Sequence, residues 1–462
     1  MNGFFRRILF VPILAAFHFS ATAATNGLVV HEWGTFTALQ DETGRCLDGI
    51  NTDDEPVPAF VHRLTQGRPL IQTTSEVPGF LFQGAPFAYP NVTLRLETPV
   101  IYFHPGENGS DPATVDVKVT FRGGLLTEYY PKPERAEPAV DFNQVRPVIG
   151  PSMEGALAWS GLKFEAGASG PVTDERVWLA PRAVNAADLK TTSGESERFL
   201  FYRGLGSGEA LLKVVQETNR VVIKPSVPTE IKSDLRIPRL WLVDIQGGQV
   251  AFRAADGFTI ARATTNVSKT IPSQFKESDY SATNALKLRR ALLAALQEDG
   301  LFEDEALALL ETWKVSYFQS SGLRLFFIVP REWTDHVLPL EIPQAEKITR
   351  VMVGRIELVS PRQRQLLAEI NKTSPREIQK AAIEMQSRIM KKFYPQNRQQ
   401  DAKTLADIDL VYKGRRSLDS AGVEPVRVYK TYLELGRFRH TLVKNSTANA
   451  PGLAAFADAF HL

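Results

Sequence analysis

Hydrophobic and polar positions alternate with two different periods along this chain. From Leu28 to about Ile271 the apolar residues fall in short runs: Leu28–Val30, Val100–Phe103, Val115–Phe121, Phe199–Tyr202, Leu211–Val215, Val221–Ile223, Leu240–Ile245 and Val250–Phe252. In one of them Val115, Val117, Val119 and Phe121 alternate with Asp116, Lys118 and Thr120, the period of a strand with one wet face. Gly123-Gly124, Asn219-Arg220 and Gly247-Gly248 supply turn chemistry between runs. Short strands without helices between them predict antiparallel sheets in a sandwich-like arrangement.

From about Asp279 the period lengthens. Leu286, Leu288, Leu292, Leu293 and Leu296 form a stripe that stops at Gly300, and a second helix is expected over 303–318, opened by Glu303, Asp304 and Glu305 at the favourable end of its dipole. Strands are expected over 323–329 and 348–359, with a polar loop over 331–336 after the first. Helices follow over 361–370 and 375–394; Ser374, Pro375 and Glu377 read as cap, first-turn proline and capping-box partner of the second. Closing helices are expected over 433–443 and 452–460. The fold class is therefore mixed: an N-terminal antiparallel β-sandwich-like region over 25–275, then a smaller helix-rich α+β region over 276–462.

The first 24 residues do not fit that body. Arg6 and Arg7 precede an apolar run from Ile8 to Phe19, and the small residues Ala21 to Ala24 follow. That order is the signature of a cleavable export signal over 1–24. The run is about a dozen residues, short of the roughly 20 that a spanning helix needs, so no transmembrane anchor is expected after cleavage. A single cysteine, Cys46, excludes an internal disulfide, and a periplasmic or secreted bacterial protein is expected. Fifty-four basic against 52 acidic residues leave a net charge of +2, which gives no electrostatic footprint for nucleic acid.

The string His31-Glu32-Trp33-Gly34-Thr35-Phe36-Thr37 stands near the start of the expected mature chain, and Leu96 to Phe103, Phe201-Tyr202-Arg203-Gly204 and Val353-Gly354-Arg355 follow. Together they resemble an uncharacterised family of exported bacterial proteins that carry this N-terminal motif. The resemblance implies export and a shared layout across most of the chain, and no catalytic role.

Chemistry has to be sought residue by residue. His31 and Glu32 are adjacent, but no histidine stands at position 35, so the zinc-protease spacing is absent. On a strand His31 points with Trp33 and Glu32 points the opposite way, and His31 is expected to bond locally. His31, His62, His104 and Glu97 all belong to the strand-rich part and are the candidate ligands of a divalent metal assembled from distant strands; no other cofactor is expected. His31, Glu32, Arg331, Asp335 and His336 are the candidate catalytic residues, the last three as an anion-binding or acid–base group. The segment 361–394 carries eight Lys or Arg against three Glu with an apolar stripe, which predicts a helix packed on the sheet with its charges in solvent. These features point to an extracytoplasmic module for an envelope or extracellular ligand, with metal-dependent hydrolysis of a cell-wall or extracellular polymer as the alternative.

Overall fold

The structure is a computed structural model that describes residues 27–462, apart from 54, 66–69, 74, 81–88, 107–111, 140–147, 169, 262–266 and 395–400. The expected export signal lies outside the described residues. Ten long strands carry the architecture: β1 (Val29–Gln40), β2 (Leu94–His104), β3 (Val115–Arg122), β4 (Gly124–Tyr130), β5 (Glu154–Phe164), β6 (Leu200–Gly206), β7 (Leu235–Gln246), β8 (Gln249–Ile260), β9 (Gly322–Val329) and β10 (Lys347–Leu358). Nine lie side by side in the order β5-β4-β6-β2-β1-β10-β9-β7-β8, and β3 pairs with β5. The fold is mixed, a large curled sheet with helices gathered toward the C-terminus.

The expected mixed class is met in this coarse form, while the expected antiparallel sandwich is replaced by one curled sheet of mixed direction. Strands from both sides of residue 275 share the sheet: β10 lies parallel to β1, with Val29 opposite Lys347 and Gln40 opposite Leu358. The reason is readable in the side chains. All twelve residues of β1 are buried, so that strand needs a neighbour on each edge and a cover on each face.

On one face of β1 lie Val30, Phe36 and Ala38, in an apolar cluster with Phe103, Phe121, Trp159, Val214 and Trp333. The curl of the sheet and a small three-stranded sheet (Leu212–Gln216, Arg220–Pro225, Lys269–Pro272) close this side. The opposite face is covered by helices in two places. Near the start of β1, Trp33, Val100, Tyr102, Phe326 and Val351 pack under α1 (Arg176–Arg182), α2 (Ala282–Glu298), α3 (Glu303–Thr312) and α4 (Lys314–Phe318). Near its end, Leu39, Leu125 and Leu205 pack under a C-terminal group of helices. These are α6 (Pro361–Lys372), α7 (Pro375–Phe393), α8 (Ala402–Tyr412), α9 (Arg427–Glu434), α10 (Arg439–Lys444) and α11 (Pro451–Ala459), while α5 (Arg331–Val337) lies on the other side of the sheet with Trp333.

Three helical expectations are corrected. Residues 331–336 form α5 rather than a loop. The segment 303–318 breaks at Trp313 (φ −96°, ψ 22°) into α3 and α4, where the carboxylate of Glu55 accepts the backbone N–H groups of Val315 and Ser316 at 3.0 and 3.1 Å. The segment 433–443 breaks at Gly436 (φ +85°), a conformation glycine adopts without steric cost, so α9 and α10 leave in different directions with Arg437 between them. By contrast, α7 opens as expected, with Ser374 accepting from Glu377 N–H and Glu377 reaching back.

The C-terminal helices seat closely on one another. A methyl group at Gly452 would stand 2.2 Å from the carbonyl oxygen of Asn371 at the end of α6, a main-chain contact that cannot rotate away. Gly452→Ala is expected to lower stability by about 1–3 kcal/mol, read as a lower urea midpoint, while Gly208→Ala, with open space at its Cβ position, leaves the midpoint unchanged.

Candidate functional site

His31 and His104 meet because β1 and β2 are antiparallel, with His31 opposite Tyr102. His104 is two residues beyond that pair, a diagonal neighbour on the same face. A third residue closes over them: Glu305, in the first turn of α3. His31 Nδ1 lies 2.7 Å from Glu305 Oε2 and His104 Nε2 lies 2.9 Å from Oε1. All three donor atoms fall within 4.8 Å of one another. The Phe302 ring packs on both imidazoles, with centroid distances of 4.5 and 4.9 Å.

Glu305 is fixed from two further directions. Its Oε2 accepts the backbone N–H of Phe302 at 2.8 Å, and it stands at the N-terminus of α3, where a negative charge is favoured. Burial pushes its carboxyl pKa up; the hydrogen bonds and charge of His104 and His31 outweigh this and hold it below the ordinary value. The carboxylate is therefore ionised and pointed at two imidazoles. Two nitrogens and one carboxylate oxygen suit zinc and other borderline divalent metals. His31 and Glu305 are enclosed, whereas the His104 side chain keeps 15% of its exposure.

The four candidate ligands read from the sequence thus separate. His31 and His104 come together, and His31 bonds Glu305, 274 residues away, rather than a local partner. His62 lies elsewhere, on a short strand paired with β4, and holds Glu195 at 2.8 and 3.0 Å. Glu97 faces arginines instead. The sequence marks Glu305 as a helix-start acid but carries no sign that this helix lands on β1 and β2.

The expected alternation holds for Glu32, which points away from His31 and Trp33. It accepts from Tyr202 Oη and from Arg350 Nε at 2.6 Å, and Arg350 Nη1 also donates to Asp335 at 2.7 Å. Burial and the charge of Glu32 push the Tyr202 hydroxyl well above its usual pKa. Arg331 and Asp335 form an exposed i,i+4 pair at 3.2 Å. The backbone carbonyl of His336 accepts from Arg122 at 3.0 Å. The predicted set therefore divides among a buried network around Arg350 and an exposed helix, and it does not converge with His31.

A second group was not expected. Between the two helix-covered patches of the sheet lies a charged layer: Arg95, Arg203, Arg324 and Arg355 are buried almost completely, and Arg437 enters from the α9–α10 break. Glu97 accepts from Arg355 at 3.0 Å and from Arg437 at 2.7 Å, and pairs with Arg95 at 3.3 Å. Asp53 accepts from Arg203, while Glu357 pairs with Arg324 and Arg355.

A line of register breaks creates this layer. Trp33 pairs with Val100 but Thr35 with Glu97, so β2 carries one extra residue there. Thr98 takes φ +44°, the left-handed conformation a bulge uses, and its hydroxyl accepts from Arg203 Nε at 3.0 Å. The same level is broken between β6 and β2 and between β6 and β4. Without the extra residue Glu97 and Arg95 would face away from Val100 and His104; with it they share that face.

Burial pushes the Glu97 carboxyl up, yet the guanidinium groups of Arg355, Arg437 and Arg95 prevail and hold it well below the usual carboxylate range. Glu97→Gln is expected to cost about 3–5 kcal/mol at pH 7, since three buried cations lose their shared counter-charge. A carboxylate with a depressed folded pKa contributes its full stabilisation above its unfolded value of 4.5 and loses it as pH falls toward the folded one. The gap between variant and parent in urea unfolding should therefore narrow below that pH.

No protein-family model matches the chain, and no curated protein matches it. Among solved structures it is similar to the yeast delta-COP-I mu-homology domain, at 9% identity over 73% of this chain and 97% of that one, with a TM-score of 0.23. A likeness of that size carries no argument about fold or function.

Proposed function

We propose that the chain is an exported bacterial protein that works in the envelope as a binding module, built around a divalent metal of the zinc class held by His31, His104 and Glu305. The observation that carries the metal reading is the convergence of three donor atoms from two strands and a helix start within 4.8 Å, with the carboxylate ionised. Export and envelope placement rest on the N-terminal segment, read as a cleavable signal, and on the family that the His31–Thr37 string resembles. No helix among the described residues is long and apolar enough to cross a membrane.

In this role the metal joins β1, β2 and α3. His31 and His104 are presented by adjacent strands of a sheet whose register is fixed by burial, and Glu305 is held by the Phe302 N–H. Three protein ligands leave a coordination position open, which is the form of catalytic rather than structural zinc sites. That ligand count, with the partial exposure of His104, favours metal-dependent hydrolysis of a cell-wall or extracellular polymer as the second reading.

Elemental analysis of protein purified from the periplasm is expected to show one equivalent of zinc or a related divalent metal, lost in His104→Ala. A metal-free protein whose unfolding is indifferent to added zinc would remove this reading. Soluble fragments released from purified cell wall by the metal-loaded protein, and stopped by a chelator, would select hydrolysis over binding.

A further inference from the structure

Charge is spread unevenly along the chain. Residues 361–462 carry 18 Lys or Arg against 10 Asp or Glu, an excess of eight positive charges in a chain whose whole net charge is +2. The part before residue 361 is therefore net negative. A local concentration of one sign acts on whatever approaches it, and α7 shows where some of it is presented.

That helix has 19 residues and is about 28 Å long. Its buried stripe is Ile378, Ala382, Met385, Ile389 and Phe393, seated in the C-terminal apolar cluster. Arg376, Lys380, Ile383, Ser387, Met390 and Lys391 repeat the same spacing on the opposite side of the helix, so they form the crest turned away from the protein. All six are exposed, Ile383 to 60% and Met390 to 39%. No acidic residue stands in that row. Glu384, on its flank, is held by Arg388 at 2.7 Å, and Glu377 is the capping-box partner of Ser374. Arg376, Lys380 and Lys391 meet no carboxylate at ion-pair distance among the described residues.

Two features of the crest narrow its partner. Cations without counter-charges favour an anionic surface. Large apolar side chains set between those cations cost free energy in water and gain nothing from a soluble polyanion. They fit a boundary whose outer level is charged and whose depth is apolar, and a bilayer with anionic headgroups is such a boundary. Lysine and arginine stems lie along the apolar level there while their heads stay at the phosphates. The buried stripe keeps α7 on the protein, so the crest reaches the headgroups without the helix leaving its seat.

We propose that α7 lays the chain on an anionic lipid bilayer, with Arg376, Lys380 and Lys391 at the headgroup phosphates and Ile383 and Met390 entering the acyl boundary. This names a partner for the envelope module and rests on that reading for the membrane met in the cell. The contact itself is a property of the isolated protein, and it uses none of the metal ligands.

The test is flotation of protein purified from the periplasm with vesicles of phosphatidylglycerol and phosphatidylcholine in equal parts, and with vesicles of phosphatidylcholine alone. Binding is expected on the anionic vesicles only, and to fall at least tenfold when salt rises from about 0.1 M to about 1 M. Arg376→Gln with Lys380→Gln is expected to weaken it at least tenfold, since each base near such a surface contributes about fivefold. Ile383→Ser is expected to weaken it by about threefold or more at both salt concentrations. Lys224→Gln, which removes an exposed charge from the small three-stranded sheet, changes it less than about twofold. The substituted side chains lie in solvent, so urea midpoints are expected to stay unchanged, which separates lost contact from lost fold. His104→Ala is expected to float as the parent does. Equal binding to the neutral vesicles, or full binding by the Arg376 and Lys380 variant, overturns the proposal. Displacement by soluble polyglutamate with Ile383→Ser inert also overturns it, and assigns the crest to a soluble polyanion. Envelope placement is read separately, by fractionation of native cells, so its failure and the failure of vesicle binding are distinct.

Discussion

Arginines and carboxylates locked together in the interior set the terms for everything around them. Glu97 serves Arg95, Arg355 and Arg437 at once, and Asp53 serves Arg203. Removing charge from water is costly, and a buried pair recovers that cost only when its geometry is held. The surrounding structure supplies the holding. Apolar clusters lie on both sides of the layer, one under α2–α4 and one under the C-terminal helices, and the β2 bulge turns the charges toward each other. A chain with no disulfide has here accepted an expensive interior feature at the point where its two helical covers meet.

The same sheet places the histidine–carboxylate group on the same face, at the opposite end of β1 from the arginines. Both sites use β1 and β2 and are completed by a helical segment: α3 brings Glu305 and the α9–α10 break brings Arg437. Neither is formed by one stretch of sequence. This division of labour, rigid strands for most of the donors and a helix terminus for the last one, fixes donor positions closely.

The sequence made much of the scaffold legible for local reasons. Alternation in 115–121, the capping box at Ser374 and the stripe from Leu286 to Leu296 each depend on residues a few positions apart, although Leu286 itself turns out exposed. The opposed directions of His31 and Glu32 follow from strand geometry alone; of the four candidate ligands drawn from the strand-rich part, His31 and His104 meet, while His62 and Glu97 go to other partners. The rest depends on distant pairing. Parity along β2 sets Glu97 against His104, and only the extra residue at Thr98 reverses it; no composition rule announces that a buried threonine adopts a left-handed turn inside a strand. Gly436 falls inside the helix expected over 433–443, and Glu305 in the first turn of the helix expected over 303–318. Their roles arise from which strand each helix meets, which is a property of topology.

The parallel pairing of β1 with β10 has a temporal side. Two neighbours at the middle of the sheet lie far apart along the chain, Val29 meeting Lys347. A growing polypeptide cannot form that contact until Lys347 and the strand it opens have emerged. Loop closure over such a span precedes any reward from the pairing, so assembly waits on the slowest kind of encounter. Until then β1, apolar along most of its length, offers an open edge that other chains could occupy. A holding chaperone that shields the first strand would meet that hazard directly.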